Sequence, residues 1–455
     1  MSTPVPVEEL KARARAAIEE SRTRLLAVSA DIQRHPETGF REHHAAATVA
    51  DWFEELGLPF TSGLSRTGVK ARMTGRTPGP SVAVLGEMDA LVLPNHPLAD
   101  PTTGAAHACG HHAQVASMLG AAVGLNAVRA HLDGDAVFFA VPAEESVELE
   151  WRRELVRAGE LTHLVGKADL IARGAFEDVD MAMLCHTAGA DAPRLRLGDS
   201  HNGSVVHRIR FTGRASHAGS TPWHGVNALK SATLAISAID AQRDTSFRDE
   251  DMVRVNAVLP HGGDAPTAIP DSAELEVVIR ARTLQALRDA CAVVERAVRA
   301  GAVAMGTTAT LESTLNYLPH HQDPALVELA HANATELVGA SGVKAGRHLG
   351  ASTDMGDLSA VLPVLHPFAA GARGDAHSVD YVVTDHSAAA LEPAVLMAWC
   401  VIDLLAHDAA TARAVLAARA ERRTAAQYAR LRAEFDRSIR YDEAHDLARG
   451  TEGEL

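Results

Sequence analysis

The stretch His107-Ala108-Cys109-Gly110-His111-His112 constrains this chain more than any other. It lies between two short apolar runs, each of which ends in carboxylates. Pro80–Leu85 leads into Gly86-Glu87-Met88-Asp89, and Asp135–Val141 leads into Pro142-Ala143-Glu144-Glu145. Short apolar runs bounded by glycine or proline read as buried strands. Ala113–Ala127, directly after the Cys/His cluster, reads as a strongly apolar helix. Strand, helix and strand in that order predict an α/β domain with a mostly parallel sheet and helices on both faces. Open α/β sheets place their sites outside the strand C-termini, where these carboxylates fall. Thiolate, imidazole and carboxylate gathered at a sheet edge read as a metal site, and the chemistry to expect is hydrolysis by a metal-activated water.

At 455 residues the chain is too long for one small core, so two or three domains are expected. Residues 7–34 are helical in pattern, the Pro/Gly stretch 34–40 interrupts them, and an amphipathic helix over 42–56 ends at Gly57. Residues 69–73 alternate like a strand. The pattern changes near residue 200. Residues 204–212 alternate, 225–242 are helical, 253–259 and 275–282 alternate, and 283–302 are helical again. That order predicts a smaller α+β module inserted into the first domain. The tail over about 406–448 is rich in Ala, Arg and Glu and reads as an exposed or partner-bound helix.

Composition removes several function classes. A net charge of -15 argues against a general nucleic-acid or anionic-membrane surface, which needs a basic stripe. Four widely spaced cysteines make no disulfide framework and fit a reducing cytoplasm. Met1–Leu10 has no apolar signal-peptide core, and no run of about 18 apolar residues is found, so no membrane span is expected.

Each candidate residue has an ordinary alternative. Cys109 alone reads as a small buried hydrophobe; beside two histidines and just before a helix, ligation is the better reading. Glu144 and Glu145 are either a solvated acidic turn or, pointing in different directions at a strand end, a metal ligand and a base. Asp89 is placed to orient a ligating histidine. His186 and His377, each taken alone, read as structural. His217, among small residues in Gly213–Gly219, reads as a turn histidine or a ligand contact, and Asn227, Arg280, Arg282 and Asp354 stay equally open.

Together these segments resemble the clan-MH co-catalytic metallopeptidases, the aminoacylase and glutamate carboxypeptidase type. The resemblance is closest to the amidohydrolase branch of aminobenzoyl-glutamate, hippurate and auxin-conjugate hydrolases. It begins at Arg34–Phe40 and runs through Asp89-Ala90-Leu91, His107–His111 and Pro142–Glu145. Ser216-His217-Ala218-Gly219 with Gly225–Leu229, then Ser352–Asp357 and His377-Ser378, complete it. One such match is weak; six or more in the right order are highly specific.

The resemblance implies a catalytic domain over 1–200 and 316–455 and a lid and dimerisation domain over 201–315; the helical C-terminal extension, 406–455, lies outside the motif matches. It implies Cys109, His111, Glu145, His186 and His377 as metal ligands, Glu144 as general base, and Asp89 as a ligand-orienting residue. His217 would reach the site of a partner subunit across a lid-domain dimer. His112, Asn227, Asp354 and Arg280 are candidate substrate contacts. One or two divalent ions are implied, zinc or manganese first, with cobalt or nickel also suited to mixed S, N and O donors. The implied reaction is cleavage of the amide of an N-acyl or N-aroyl amino acid or a similar small amide. Two alternatives stand beside it: an aminohydrolase that replaces the amine of an activated aromatic such as a nitroanthranilate, and a non-catalytic metal-binding homologue. The expected partners are a small-molecule amide or aromatic amine and a second copy of the chain, with no nucleic acid and no membrane. The chain departs from its relatives at His112, where many carry Asp or Asn, and at Glu87, where peptidase relatives carry a ligating histidine. The segment 148–176 is longer than in the simplest relatives.

Overall fold

The computed structural model describes residues 5–189, 192–418 and 423–442. They divide into two compact units. The first comprises residues 1–200, 321–347 and 357–426, and the second 201–320, 348–356 and 427–455, within the described residues.

The first unit is α/β. Its six-stranded sheet runs in the order Phe60–Leu64, Gly68–Thr74, Asp133–Val141, Thr77–Glu87, Met181–Met183, Val364–Leu365. Pairing is parallel from Asp133–Val141 across to Val364–Leu365, and the two strands on the other side are antiparallel. Residues 80–87 are all buried, so both faces of the sheet are covered, as their unbroken apolar run requires. The helix His111–Asn126 is buried nearly all round and packs against the strand Thr77–Glu87. Residues 7–34 form two helices, Val7–Glu20 and Arg22–Arg34, that break at Ser21.

One expectation changes here. The helical stretch Ser387–Leu405 is long and apolar enough to cross a membrane, although no such run was expected from the sequence. It is 89% buried inside the unit, and it packs against the helices Val7–Glu20 and His111–Asn126 as a core element.

The second unit is α+β. Its five-stranded antiparallel sheet runs Arg254–His261, Ser272–Ala281, Gly203–Thr212, Thr308–Tyr317, Arg437–Tyr441. The strand Ser272–Ala281 alternates buried and half-buried at every residue, so one face carries the core. Helices Ala228–Ala241 and Leu284–Met305 pack on each other and on that sheet.

The tail corrects the helical expectation for 406–455. Helices Ala410–Ala418 and Ala425–Ala433 are followed by the strand Arg437–Tyr441, which pairs with Thr308–Tyr317 and so closes the second unit's sheet. Arg437-Ser438-Ile439-Arg440-Tyr441 is too short and too charged to signal a strand by itself. It is held by register against a longer neighbour. Residues 419–422 and 443–455 lie outside the described residues.

Candidate metal centre and catalytic carboxylates

The site is built where the parallel strands of the first unit end. Cys109 and His111 are set by Gly110, whose φ of 87° is open to glycine at little cost. A Cβ at Gly110 would run into the hydroxyls of Thr187 and Tyr381. Those hydroxyls lie 2.7 Å from each other and 3.0 and 3.2 Å from the Cys109 carbonyl, within hydrogen-bond distance of it. The chain therefore crosses the Cys109 turn on a fixed seat and enters the helix at His111.

The rings of His111 and His186 are both oriented from behind. His111 Nδ1 donates to the Asp89 carbonyl at 2.8 Å and faces Asp89 Oδ1 at 3.1 Å, which leaves Nε2 free to bind a cation. His186 Nδ1 donates to the Thr187 carbonyl at 2.7 Å, and its Nε2 lies 3.4 Å from Cys109 Sγ. The two rings sit edge to face with centroids 5.7 Å apart. Glu145 Oε1 lies 3.0 Å from His377 Nε2, and Glu145 N–H donates to Asp89 Oδ2 at 2.8 Å. His377 is held at a φ of 67°, with its amide on the Ala108 carbonyl.

Three overlapping donor groups result. Cys109, His111 and His186 place one ligand atom each within 4.8 Å of one another, and so do Cys109, Glu145 and His377. His111, Glu144 and Glu145 form the third group. All five ligand candidates and the proposed base thus meet in one place, and Cys109 belongs to two of the groups.

The electrostatics are those of a cation site. His111 Nε2 and Glu145 Oε1 are buried and make no well-aligned hydrogen bond, although Glu87 Oε2 lies 3.2 Å from the first and His377 Nε2 3.0 Å from the second. Burial, followed by the Glu145 carboxylate, pushes the Cys109 thiol well above its usual range. Burial lowers His186 to about 4. Burial also works against a charged His111, but pairing with Cys109, the Glu87 carboxylate and the bond to Asp89 override it and hold the ring well above its ordinary value. A divalent ion satisfies the orphaned acceptors and stabilises the thiolate together, so this donor set fits a metal of borderline softness.

Residues not singled out from sequence surround this set. Lys167 Nζ donates to Glu87 Oε1 at 2.5 Å, and Gln114 Nε2 donates to Glu87 Oε2 at 2.9 Å. Lys167 is fully buried, and Glu87 Oε2 lies 3.2 Å from His111 Nε2. Glu87 thus joins the centre as a carboxylate neutralised from behind. Arg152, buried under the turn at Glu144, stacks over Phe40 and donates to the Leu164 carbonyl at 3.0 Å. Nothing in a sequence marks a lysine or an arginine as buried. Only the acidic residue it neutralises, known after folding, gives that signal.

The remaining candidates are placed differently. His112 is fully buried, with its ring between those of His107 and His386. His217, Asn227, Arg280 and Asp354 belong to the second unit. His217 is exposed, and its Nδ1 accepts the backbone N–H of Gly219 and Ser220 at 3.1 and 3.0 Å. Asn227 Oδ1 accepts Lys230 N–H at 3.0 Å and caps the helix Ala228–Ala241, so its oxygen is already used in the fold. Arg280 is half-buried on the strand Ser272–Ala281, Arg282 is exposed just beyond it, and Asp354 is buried.

Comparison with known proteins agrees with this architecture. Residues 200–305 match the peptidase dimerisation domain of M20 enzymes. The chain is 30% identical over 393 residues to a protein of Mus musculus named Xaa-Arg dipeptidase, covering 81% of each. It is 29% identical over 272 residues to N-acetylcysteine deacetylase of Bacillus subtilis, covering 57% of this chain and 65% of that one. The fold superposes on a Bacillus subtilis protein described as a dinuclear metal-binding peptidase of the M20 family. The TM-score is 0.68 at 21% identity, over 85% of this chain and 99% of that one. The protein is a hydrolase of C–N bonds, and the chain belongs to the M20 family of metallopeptidases.

Proposed function

We propose that this enzyme cleaves the amide bond of a small N-acyl amino acid or dipeptide, with Glu144 as general base beside a divalent metal centre. The observation that carries the reading is the juxtaposition of Glu144 with the donors Cys109, His111, Glu145, His186 and His377. Those five residues would hold the ion, which when bound would supply Lewis acidity able to bring the pKa of a water from about 15.7 toward about 7. Glu144, 8% exposed at a strand end, takes the proton of the attacking water and returns it to the leaving nitrogen. Glu145, the next residue, turns its carboxylate to the metal side, with Oε1 3.0 Å from His377 Nε2 in the group that includes Cys109.

His217 supplies the oxyanion donor from a second copy of the chain. Two backbone N–H groups on Nδ1 keep the neutral ring's proton on Nε2, the tautomer a hydrogen-bond donor needs. The match of residues 200–305 to a dimerisation domain supports a homodimer assembled through the second unit. The names of the mouse and Bacillus relatives support dipeptides and N-acyl amino acids as the substrate class. Zinc and manganese lead as the resident ion. Four unpaired buried cysteines fit a reducing compartment such as the cytoplasm.

The test is metal reconstitution followed by a product screen. Protein stripped with a chelator is given zinc, manganese, cobalt or nickel. It is then offered dipeptides with C-terminal arginine, N-acyl amino acids, aminobenzoyl-glutamate and anthranilates, with products read by mass spectrometry. Metal-dependent release of a free amino acid is expected. Ammonia released from an anthranilate with no amino-acid product, or no turnover with any metal, overturns the reading.

A further inference from the structure

The turn that carries Glu144 is held in an uncommon backbone conformation. Ala143 has a φ of 54°, in the left-handed region that is unfavourable for a residue with a side chain. It is fully buried, and it immediately precedes the proposed base. Such a conformation persists only where its surroundings fix it. Here the Ala143 carbonyl accepts Gly166 N–H at 2.8 Å, and the Ala143 N–H donates to Glu42 Oε1 at 2.8 Å.

Glu42 is itself fully buried, and its other oxygen accepts the Thr67 hydroxyl at 2.5 Å. It stands at the N-cap of the helix His43–Glu55 but does not cap it; Glu37 does, through the amides of His44 and Ala45. The Glu42 side chain is turned inward instead. Gly39 completes the seat from the same loop. A Cβ at Gly39 would strike the Arg152 guanidinium and lie 2.7 Å from Cα and Cβ of Ala143, so only glycine lets the two backbones approach this closely. The stretch 34–42, which has no donor atom in the metal centre, thus forms the floor under Glu144.

We infer that Glu42 is a positioning residue for the general base: its carboxylate holds Ala143 in the left-handed turn that aims Glu144. The inference rests on the assignment of Glu144 as base. It concerns hydrogen bonding, not charge. Glutamine can accept the Ala143 amide through Oε1 while the Thr67 hydroxyl rotates to accept from its NH2 group.

The experiment compares E42L, E42Q and G39A in the intact, metal-loaded enzyme, with E144Q as reference. Each is measured for kcat, KM, metal content and chelator-competition affinity. In E42L, kcat should fall by about 10- to 100-fold, the cost of misplacing a reacting group by about 1 Å. KM, metal content and metal affinity should hold. E42Q should keep kcat close to wild type. G39A, which pushes the same turn from the other side without touching a carboxylate, should repeat the kcat-only loss. A folded E42L with wild-type kcat while E144Q is inactive overturns the inference and leaves the base assignment standing. An active E144Q overturns the base assignment instead. Three further results also overturn the inference: metal loss in E42L proportional to its lost activity, an E42Q enzyme as impaired as E42L, or failure of both E42L and G39A to fold.

Discussion

The Asp89 carboxylate holds His111 and Glu145 together: Oδ1 lies 3.1 Å from His111 Nδ1, and Oδ2 accepts the Glu145 amide at 2.8 Å. One buried side chain therefore sets the ring of one ligand and the backbone of another. Asparagine can accept at only one of these positions. D89N should lower metal affinity by about 10- to 100-fold, the usual cost of losing an outer partner of a metal ligand. Chelator competition with the purified variant measures it, and unchanged affinity refutes the bridging role.

Lys167 and Glu87 are a fully buried ion pair. Removing Lys167 leaves Glu87 charged and buried with only Gln114 and His111 against it, and breaking a buried pair typically costs roughly 3–5 kcal/mol. K167M should lose stability of that order in denaturant unfolding of the metal-free protein. Adding E87Q should recover much of the loss. A K167M protein as stable as wild type means that Glu87 has another neutralising partner.

Glu42 carries a pH signature. Burial, and next to it the charge of Asp89, raises its carboxyl from 4.5 to about 7. Between those two values the native protein binds more protons than the unfolded chain, so this group's contribution to stability is full below about 4.5. It declines as pH rises toward 7 and is flat above that. E42Q removes the titration. The stability of E42Q relative to wild type should therefore increase from pH 5 to pH 7.5, by denaturant unfolding at each pH. A constant difference, or one of opposite sign, contradicts the assignment.

His217 is proposed to act on the partner's substrate. H217A should lower kcat by about 100- to 1,000-fold, the usual cost of one oxyanion donor. Mixing H217A with E144Q subunits should restore turnover, because one site of each mixed dimer then has a good base from one chain and a good histidine from the other. Mixed dimers, confirmed by mass, that remain inactive refute action across the interface.

Much of this site was legible in the sequence because its chemistry is local. Apolar runs that end in Asp89 and in Glu144-Glu145 declare strands and their C-terminal edges together, and Cys109-Gly110-His111 declares ligands at a helix start. The joining of His186 and His377 to that cluster followed from the family resemblance, since each histidine alone is unremarkable. The supporting residues were not legible. Glu42, Lys167 and Arg152 have the same residue types as any solvated surface, and their roles exist only once distant segments fold over them. The strand Arg437–Tyr441 was missed for a related reason: it is defined by its pairing with Thr308–Tyr317, not by its own pattern.

The central claim is that Glu144 is the base beside a metal held by other residues. It is tested most directly by measuring kcat and bound metal per subunit on the same preparation of E144Q. The account predicts turnover at or near background with the metal content of the wild-type enzyme. An E144Q enzyme that turns over normally, or one that is inactive because it has lost its metal, contradicts it.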